Sequence, residues 1–529
     1  MDVRGLMAQA ALLNARRTAV IHGDRRLTFA EAWERGTRLA NALLALGLEP
    51  GDRIGVLEDN SIEAQDFFAA AAIANLVRVP LYARNSAASH THMLDHTGCR
   101  AVIVADHYAH EIEAIRGDVA TLEHVVVRGR HGVDSATPYE AWLASFPAEL
   151  PDVEIDPDDP FIIRHTGGTT GRSKGVAYTH RSWLAAGRDW FYNFPPMVAG
   201  DRCLHVGPIS HGSGYLYLPT WLSGGCNVLL DRFDPPETID VMERERIAYM
   251  FAVPAMLNAL AREPSAPGRD WSALKVVQVG GAPIADETAL LARDVFGHVL
   301  YQGFGQTEAL PVCMMGPDEW FSQVDGSEPL RSTGRALPFA YLQIRDPDDP
   351  ARELPLGEEG EIAVRCDGQM AGFWENPEAT AERITVDGFV LSGDIGRLDE
   401  NGYLYVLDRK DDMIISGGFN IWPAELENVI VDHPTVVEAA VFAAPHDRWG
   451  ETPIAVCTVV EGTPVDGDEA AAVASEIREL CAERLGSYKK PASVELRAEP
   501  LPKSPVGKIQ RKTLREPHWA GHDRRVAGN

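Results

Sequence analysis

The stretch Arg53-Ile-Gly-Val-Leu57, followed by Ile62 to Ala74 (Ile-Glu-Ala-Gln-Asp-Phe-Phe-Ala-Ala-Ala-Ala-Ile-Ala) and then Val77-Arg-Val-Pro-Leu81, decides the fold class. The first and last pieces are short runs rich in β-branched and apolar residues. The middle piece has helical length and is rich in alanine, the strongest helix former. Strand, helix and strand in that order predict a crossover unit with parallel strands. The apolar run Phe67–Val77 is interrupted by Asn75 and falls short of the roughly 20 residues a membrane span needs.

The alternation continues on both sides. Thr28 opens a helix over Phe29–Leu46 that Gly47 closes. Ala101–Ala105 and His124–Val127 read as further strands. Beyond residue 160, strands are expected at Phe161–Arg164, Arg202–Val206, Cys226–Leu230, Tyr249–Val253, Lys275–Val279 and His298–Tyr301. Most are separated by helix-length segments such as Pro236–Glu245 and Ile284–Phe296. From Thr333 to Val406, Gly and Pro punctuate short strands such as Tyr341–Arg345 and Glu361–Arg365. After Asp408–Asp412 the order becomes helix (Ala424–Val431), strand (Val436–Phe442), strand (Ile454–Val460) and helix (Glu469–Arg484).

The expected fold is therefore α/β, with a large N-terminal domain of parallel-type sheets over residues 1–410 and a β-rich subdomain at about 333–406. A small mobile α+β C-terminal domain is expected over 411–529. A chain of 529 residues exceeds what a single hydrophobic core supports, so at least two domains are required.

Composition narrows the function. Hydrophobic residues at 45% and charged residues at 24% exclude disordered and fibrous classes. A net charge of −28 repels nucleic-acid backbones, so no nucleic-acid partner is expected, although a local cationic site can still take a small anion. The seven cysteines form no C-x-x-C pair, which predicts buried packing thiols in a reducing compartment. The segment Met1–Val20 carries Asp2, Arg4, Arg16 and Arg17 and lacks an apolar core with a small-residue cleavage site. A cytoplasmic protein without a membrane span, as a monomer or homodimer, is expected.

The sharpest local chemistry is Thr166-Gly-Gly-Thr-Thr-Gly-Arg-Ser-Lys174-Gly175, at the end of the apolar run Phe161–Ile163. Gly167, Gly168 and Gly171 let backbone N–H groups approach an anion closely. Thr166, Thr169 and Thr170 add hydroxyls, and Arg172 and Lys174 add charge. A polyphosphate cradle is the reading; a Gly/Thr-rich hairpin turn is the plain alternative. Ser173 and Gly175 flank Lys174, so this is not a G-x-x-x-x-G-K-[ST] loop. Gly303-Phe-Gly305-Gln-Thr-Glu308 ends in Glu where a dinucleotide fingerprint needs Gly or Ala.

This loop resembles the phosphate loop of the adenylate-forming superfamily, which includes acyl-CoA synthetases, peptide-synthetase adenylation domains and luciferases. Further motifs of that family follow in order. Gly280-Gly281-Ala282-Pro283 resembles its adenine-side loop, and Phe304-Gly-Gln-Thr-Glu308, entered through Gln302 and Gly303, resembles its Y-G-x-T-E motif. Gly372-Phe-Trp-Glu-Asn-Pro-Glu-Ala-Thr380, Ser392-Gly-Asp394 and Asp408–Gly418 follow, and Pro502-Lys-Ser-Pro-Val-Gly-Lys508 closes the set. The resemblance covers essentially the whole chain.

The resemblance implies an ATP-dependent activation of a carboxylic acid to an acyl-adenylate, then thioester formation with coenzyme A. An anion must attack an anion in the first step, so cations and positioning matter more than acid–base chemistry. Lys508 would contact the substrate carboxylate and α-phosphate. Thr307 would hydrogen-bond the α-phosphate, and Glu308, with Thr170, would hold Mg²⁺. Asp394 and Arg409 would bind the ribose. Asp411 resembles the hinge about which the C-terminal domain turns, bringing Ser416–Asn420, with Gly417 and Gly418, to the pantetheine arm. Taken without the family, Glu308 reads as a helix-start glutamate and Asp394 as a turn residue.

The resemblance also places an acyl site. His211, in Pro208-Ile-Ser-His-Gly-Ser-Gly-Tyr215, would gate it; Tyr215, Gly281, Phe304, Pro311, Val312 and Cys313 would line it. That lining is apolar, which points to an aromatic or medium- to long-chain aliphatic acid. No Asp stands ready for a substrate amine. Phe304 replaces the commoner Tyr and Gly167 a commoner Ser, and neither change removes a charge. The same residues also serve an adenylating enzyme that does not use coenzyme A: one that loads a carrier protein, makes an amide or activates nitrite for diazotisation.

Overall fold

The computed structural model describes residues 1–83, 85–129, 138–166, 173–209, 213–282, 284–416, 419–446, 449–503 and 509–519. By internal contact the chain divides into one unit of residues 1–342 and 364–390 and a second of 343–363 and 391–529. The fold is α/β, as the alternation predicts.

The first unit holds two large sheets. The seven-stranded sheet has parallel strands Val77–Leu81, Arg53–Leu57, Ala101–Ala105 and His124–Arg128, with Pro160–Thr166 parallel beside Val77–Leu81. Three of these match the sequence reading residue for residue. Val77–Leu81 is buried at every position, as an interior parallel strand covered on both faces must be. The helix Ala64–Ala74 is wholly buried and stops at Asn75, whose φ of +55° is a left-handed cap. The Asn75 amide also donates to Asp159 over 2.7 Å, so the residue that breaks the apolar run ends the helix and ties it to the segment ahead of Pro160. Thr28 and Glu31 form the reciprocal cap that starts the helix Phe29–Ala45.

The nine-stranded sheet has a parallel centre built from Arg202–His205, Cys226–Leu229, Tyr249–Ala252, Val276–Val279 and Leu300–Gln306. Thr18–His22 joins it parallel to Cys226–Leu229, and Arg25–Thr28 pairs beyond it. Ala309–Met315, absent from the sequence reading, is a strand antiparallel to Leu300–Gln306. Proline donates no ladder hydrogen bond, yet Pro311 stands within this strand. It is tolerated because the ladder shifts register between Phe304 and Gln306, opposite that proline.

In each sheet the edge that carries a site motif turns from parallel to antiparallel. Lys174–Thr179 folds back on Pro160–Thr166, and Gly372–Phe373 pairs beyond it. The phosphate loop and the Phe304–Glu308 motif therefore each lie at a hairpin on a sheet margin.

The strands Ala340–Arg345, Gly360–Cys366, Val390–Leu398 and Leu404–Arg409 form a four-stranded sheet in that order. A further sheet pairs Val436–His446 with Gly450–Val459 and adds Ser493–Arg497 parallel to the latter. The helices Pro423–Ile430 and Gly467–Leu485 cover it. No helix among the described residues is long and apolar enough to cross a membrane. All seven cysteines are buried and unpaired, and burial pushes their thiols upward, Cys99 and Cys203 to about 12.

Candidate active site

Thr166 and Lys174, the first and last charged or hydroxyl positions of the phosphate loop, are direct partners across the hairpin. Gly167, Gly168, Thr169, Thr170, Gly171 and Arg172 lie outside the described residues. Lys174 Nζ stands 5.2 Å from the centroid of the Phe373 ring, on the next strand over.

The Phe304–Glu308 motif is a tight hairpin. Gln306 pairs with Ala309, leaving Thr307 and Glu308 as the turn, so Glu308 is not a helix-start residue. Two foreign segments fix this turn. Tyr178, on the strand leaving the phosphate loop, donates its hydroxyl to Thr307 O over 2.6 Å. The Met370 N–H donates to Glu308 O over 2.9 Å. The same segment continues as Gly372–Phe373 against Ala177 and Val176. The phosphate-loop strand, the Thr307–Glu308 turn and the Gly372–Thr380 motif, remote in sequence, are thus brought together by the Tyr178 hydroxyl and by backbone bonds. Glu308 is buried to 8% exposure, with Arg383 Nη2 at 3.7 Å.

Beside the turn lies the Gly280–Ala282 loop; Pro283 is outside the described residues. A Cβ on Gly280 would stand 2.9 Å from Gly303 O, and Gly281 has φ of +83°. Only glycine permits both. Gln302 and Gln278, on adjacent strands, are buried; both amide atoms of Gln278 and Oε1 of Gln302 have no hydrogen-bond partner among the described residues. Buried orphan amides are costly. A purine offers the donors and acceptors that would satisfy them, so this edge fits a nucleotide base.

In the second unit, Asp394 and Arg409 are direct cross-strand partners. Asp394 is a strand residue, not a turn residue, and Arg409 Nε stands 2.8 Å from its Oδ1. Gly393 N–H donates to Glu361 over 3.0 Å, and Lys410 Nζ reaches the other oxygen of Glu361 at 2.9 Å. Asp411 falls in a single turn, Lys410–Asp412. Arg511 lies between Asp408 (3.1 Å), Asp412 (2.9 Å) and Glu427. Gly417, Gly418 and Lys508 are outside the described residues, but the loop bearing Lys508 is closed at its base by the bridge Lys503↔Ile509 and by Gln510 N–H to Pro502 O at 2.8 Å.

On the acyl side, His211 is outside the described residues. Tyr215 packs on a cluster that includes Ala186, Trp190, Leu216, Leu310 and Met314. Its ring is 5.3 Å from Trp183 and 6.0 Å from Trp190, and burial pushes its hydroxyl up to about 12. Pro311, Val312 and Cys313 belong to the strand Ala309–Met315, which is buried throughout. Sequence reading missed Arg164, whose buried guanidinium sits 4.3 Å from the Tyr215 ring centroid. A lone arginine directly after the run Phe161–Ile163 was the available signal.

Family models match most of this chain: the AMP-binding enzyme model over residues 7–374, and its C-terminal domain model over 425–508. The chain belongs to the AMP-binding enzyme family. This AMP-binding enzyme is 34% identical over 509 residues to a feruloyl-CoA synthase of Amycolatopsis sp, covering 96% of each chain. It is 33% identical over 523 residues to a long-chain-fatty-acid–CoA ligase of Mycobacterium tuberculosis, covering 98% of this chain and 99% of that one. Among solved structures it is similar to ATP-bound MatB from Rhodopseudomonas palustris, with a TM-score of 0.86 at 26% identity, covering 99% of this chain and 100% of the other.

Proposed function

We propose that the protein is an AMP-forming acid–thiol ligase. It activates a hydrophobic carboxylic acid, aromatic or medium- to long-chain aliphatic, with ATP. It then transfers the acyl group to coenzyme A, releasing AMP and pyrophosphate. The observation that carries this reading is the assembly of the phosphate-loop strand, the Thr307–Glu308 turn and the Gly372–Thr380 segment in a chain of this family. The two relatives named above, both CoA ligases matched along nearly their whole length, support the acceptor.

The residues divide the work. Thr166–Lys174 presents backbone N–H groups and cations to the polyphosphate. Gln302, Gly303 and Phe304, with Gly281, Ala282 and Pro283, border the base. Asp394 accepts from the ribose hydroxyls, with Arg409 beside it. Lys508 brings a cation to the attacking carboxylate and the α-phosphate, offsetting their repulsion. Glu308 and Thr170 hold Mg²⁺. One carboxylate fits an ion that draws its remaining ligands from phosphates and water; no group of three or more His, Cys, Asp or Glu among the described residues is disposed to hold a metal. Bound there, Mg²⁺ supplies positive charge to the phosphate oxygens. His211, Tyr215, Pro311 and Val312 border the acyl group, and Asp411 is the pivot that exchanges Lys508 for Gly417 and Gly418. The protein is placed in the cytoplasm, as a monomer or homodimer.

The test is pyrophosphate release from ATP across a panel of hydroxycinnamic and C8–C18 fatty acids, with wild type and Lys508→Ala. The expected loss in adenylate formation is about 100-fold or more, with folding unchanged, as for removal of a transition-state charge partner. Unchanged release by Lys508→Ala would remove Lys508 from the mechanism.

A further inference from the structure

The segment that runs from the strand Val77–Leu81 into the helix Ala87–Thr97 touches both ends of the phosphate loop. Tyr82 donates its hydroxyl to His165 O over 3.2 Å, one residue before Thr166. His92 Nε2 donates to Ser173 O over 2.9 Å, one residue before Lys174. A carbonyl only accepts, so Nε2 of His92 carries the hydrogen. His90, in the same helix, bonds Tyr82 O through Nε2 at 2.9 Å and fastens Tyr82 to the helix.

The His92 ring is itself held in place. His96, one turn further along the helix, lies 5.5 Å away between ring centroids. His165 stands edge-on at 6.2 Å, and His96 and His165 are 5.7 Å apart. His165 is buried, and neither of its ring nitrogens has a hydrogen-bond partner among the described residues. Burial, then the two neighbouring imidazoles, push it down to about 3, so this ring stays neutral. His92, His96 and His165 thus form a packed group of imidazoles, of which His92 makes the directed bond to Ser173 O.

We propose that Tyr82 and His92 are positioning residues for the phosphate loop: they hold the carbonyls of His165 and Ser173, between which the loop runs. The inference rests on the reading of that loop as the ATP phosphate site. No atom of either side chain is asked to touch ATP. Their contribution is the ordering that binding would otherwise have to impose on the loop.

The experiment compares His92→Phe, His92→Gln and Tyr82→Phe with wild type, measuring ATP affinity by calorimetry without acid, and steady-state kinetics with ATP and acid varied separately. His92→Phe keeps a ring in the packed group but loses the donor. Its Kd and KM for ATP should rise about tenfold, the scale of one net hydrogen bond, with kcat within about threefold and the KM for the acid unchanged. His92→Gln retains an N–H donor and should recover most of the loss. Tyr82→Phe, which removes a single oxygen and leaves folding intact, should weaken ATP about threefold. ATP binding as tight as wild type in both Phe variants overturns the proposal. So does a loss shared equally between ATP and acid, which marks a merely structural role. If wild type itself binds no ATP, the phosphate-site reading fails first and takes this one with it.

Discussion

The two units fasten their parts of the candidate site with different chemistry. Around the Thr307–Glu308 turn and the feet of the phosphate loop, most fastenings are single hydrogen bonds onto backbone carbonyls, from the Tyr178 and Tyr82 hydroxyls, His92 Nε2 and the Met370 N–H, with Arg383 beside Glu308 at 3.7 Å. In the second unit they are ionic: Arg409 with Asp394, Lys410 with Glu361, and Arg511 with three carboxylates. A neutral bond is worth little but is indifferent to pH and salt. A buried ionic cluster balances large opposing terms, so the loss of one partner is felt strongly. The ionic cluster surrounds the segment proposed to pivot, where contacts must be able to release. The carbonyl-directed set ends on His165, Ser173, Thr307 and Glu308.

Removing Arg511 should break this contrast most severely. In Arg511→Ala, Asp408, Asp412 and Glu427 lose their shared cation, and the unfolding free energy should fall by about 3–5 kcal/mol in urea titrations. A loss under about 1 kcal/mol would mean that the cluster is solvated rather than structural.

Proton linkage gives a second, smaller effect. Burial, outweighing Arg511, pushes the Asp408 carboxyl from 3.8 up to about 6. A carboxyl whose folded value is raised contributes stability that is fully present below its unfolded value and is lost as pH rises through the folded one. Wild type should therefore lose up to about 3 kcal/mol between about pH 4 and 6 through this group. Asp408→Asn should flatten that part of the curve and leave the part due to Asp66, which burial also pushes up to about 6. Parallel curves for wild type and Asp408→Asn would contradict the assignment.

The smallest change is on the neutral side. Tyr178→Phe removes the donor to Thr307 O and should cost about 1 kcal/mol of stability, equally at pH 6 and pH 8. A marked pH dependence of that cost would blur the distinction between the two scaffolds.

Much of the architecture was legible because local pattern and tertiary role agree. Arg53–Leu57, Val77–Leu81 and Ala101–Ala105 are interior strands, and apart from Arg53 and Arg78 their residues are apolar, as burial on both faces requires. Thr28 with Glu31 is a cap written in adjacent residues. Ala309–Met315 was not read as a strand, and the place of Pro311 opposite a register shift is one no local rule reveals. Thr18–His22 finds its partner some two hundred residues away, at Cys226–Leu229. At the site, glycines and charges marked the loops, because an anion site demands those residue types. The supports did not stand out. Tyr178, Tyr82 and His92 act through single bonds to backbone carbonyls, and any tyrosine or histidine can make such a bond once the fold brings it near.

The most direct test of the central claim is product analysis with ATP, Mg²⁺, coenzyme A and an active hydroxycinnamic or fatty acid, with and without coenzyme A. The account predicts one acyl-CoA thioester for each AMP and pyrophosphate formed, and slow release stalling at the adenylate when coenzyme A is withheld. AMP and pyrophosphate produced at the same rate with no thioester in either case would contradict it.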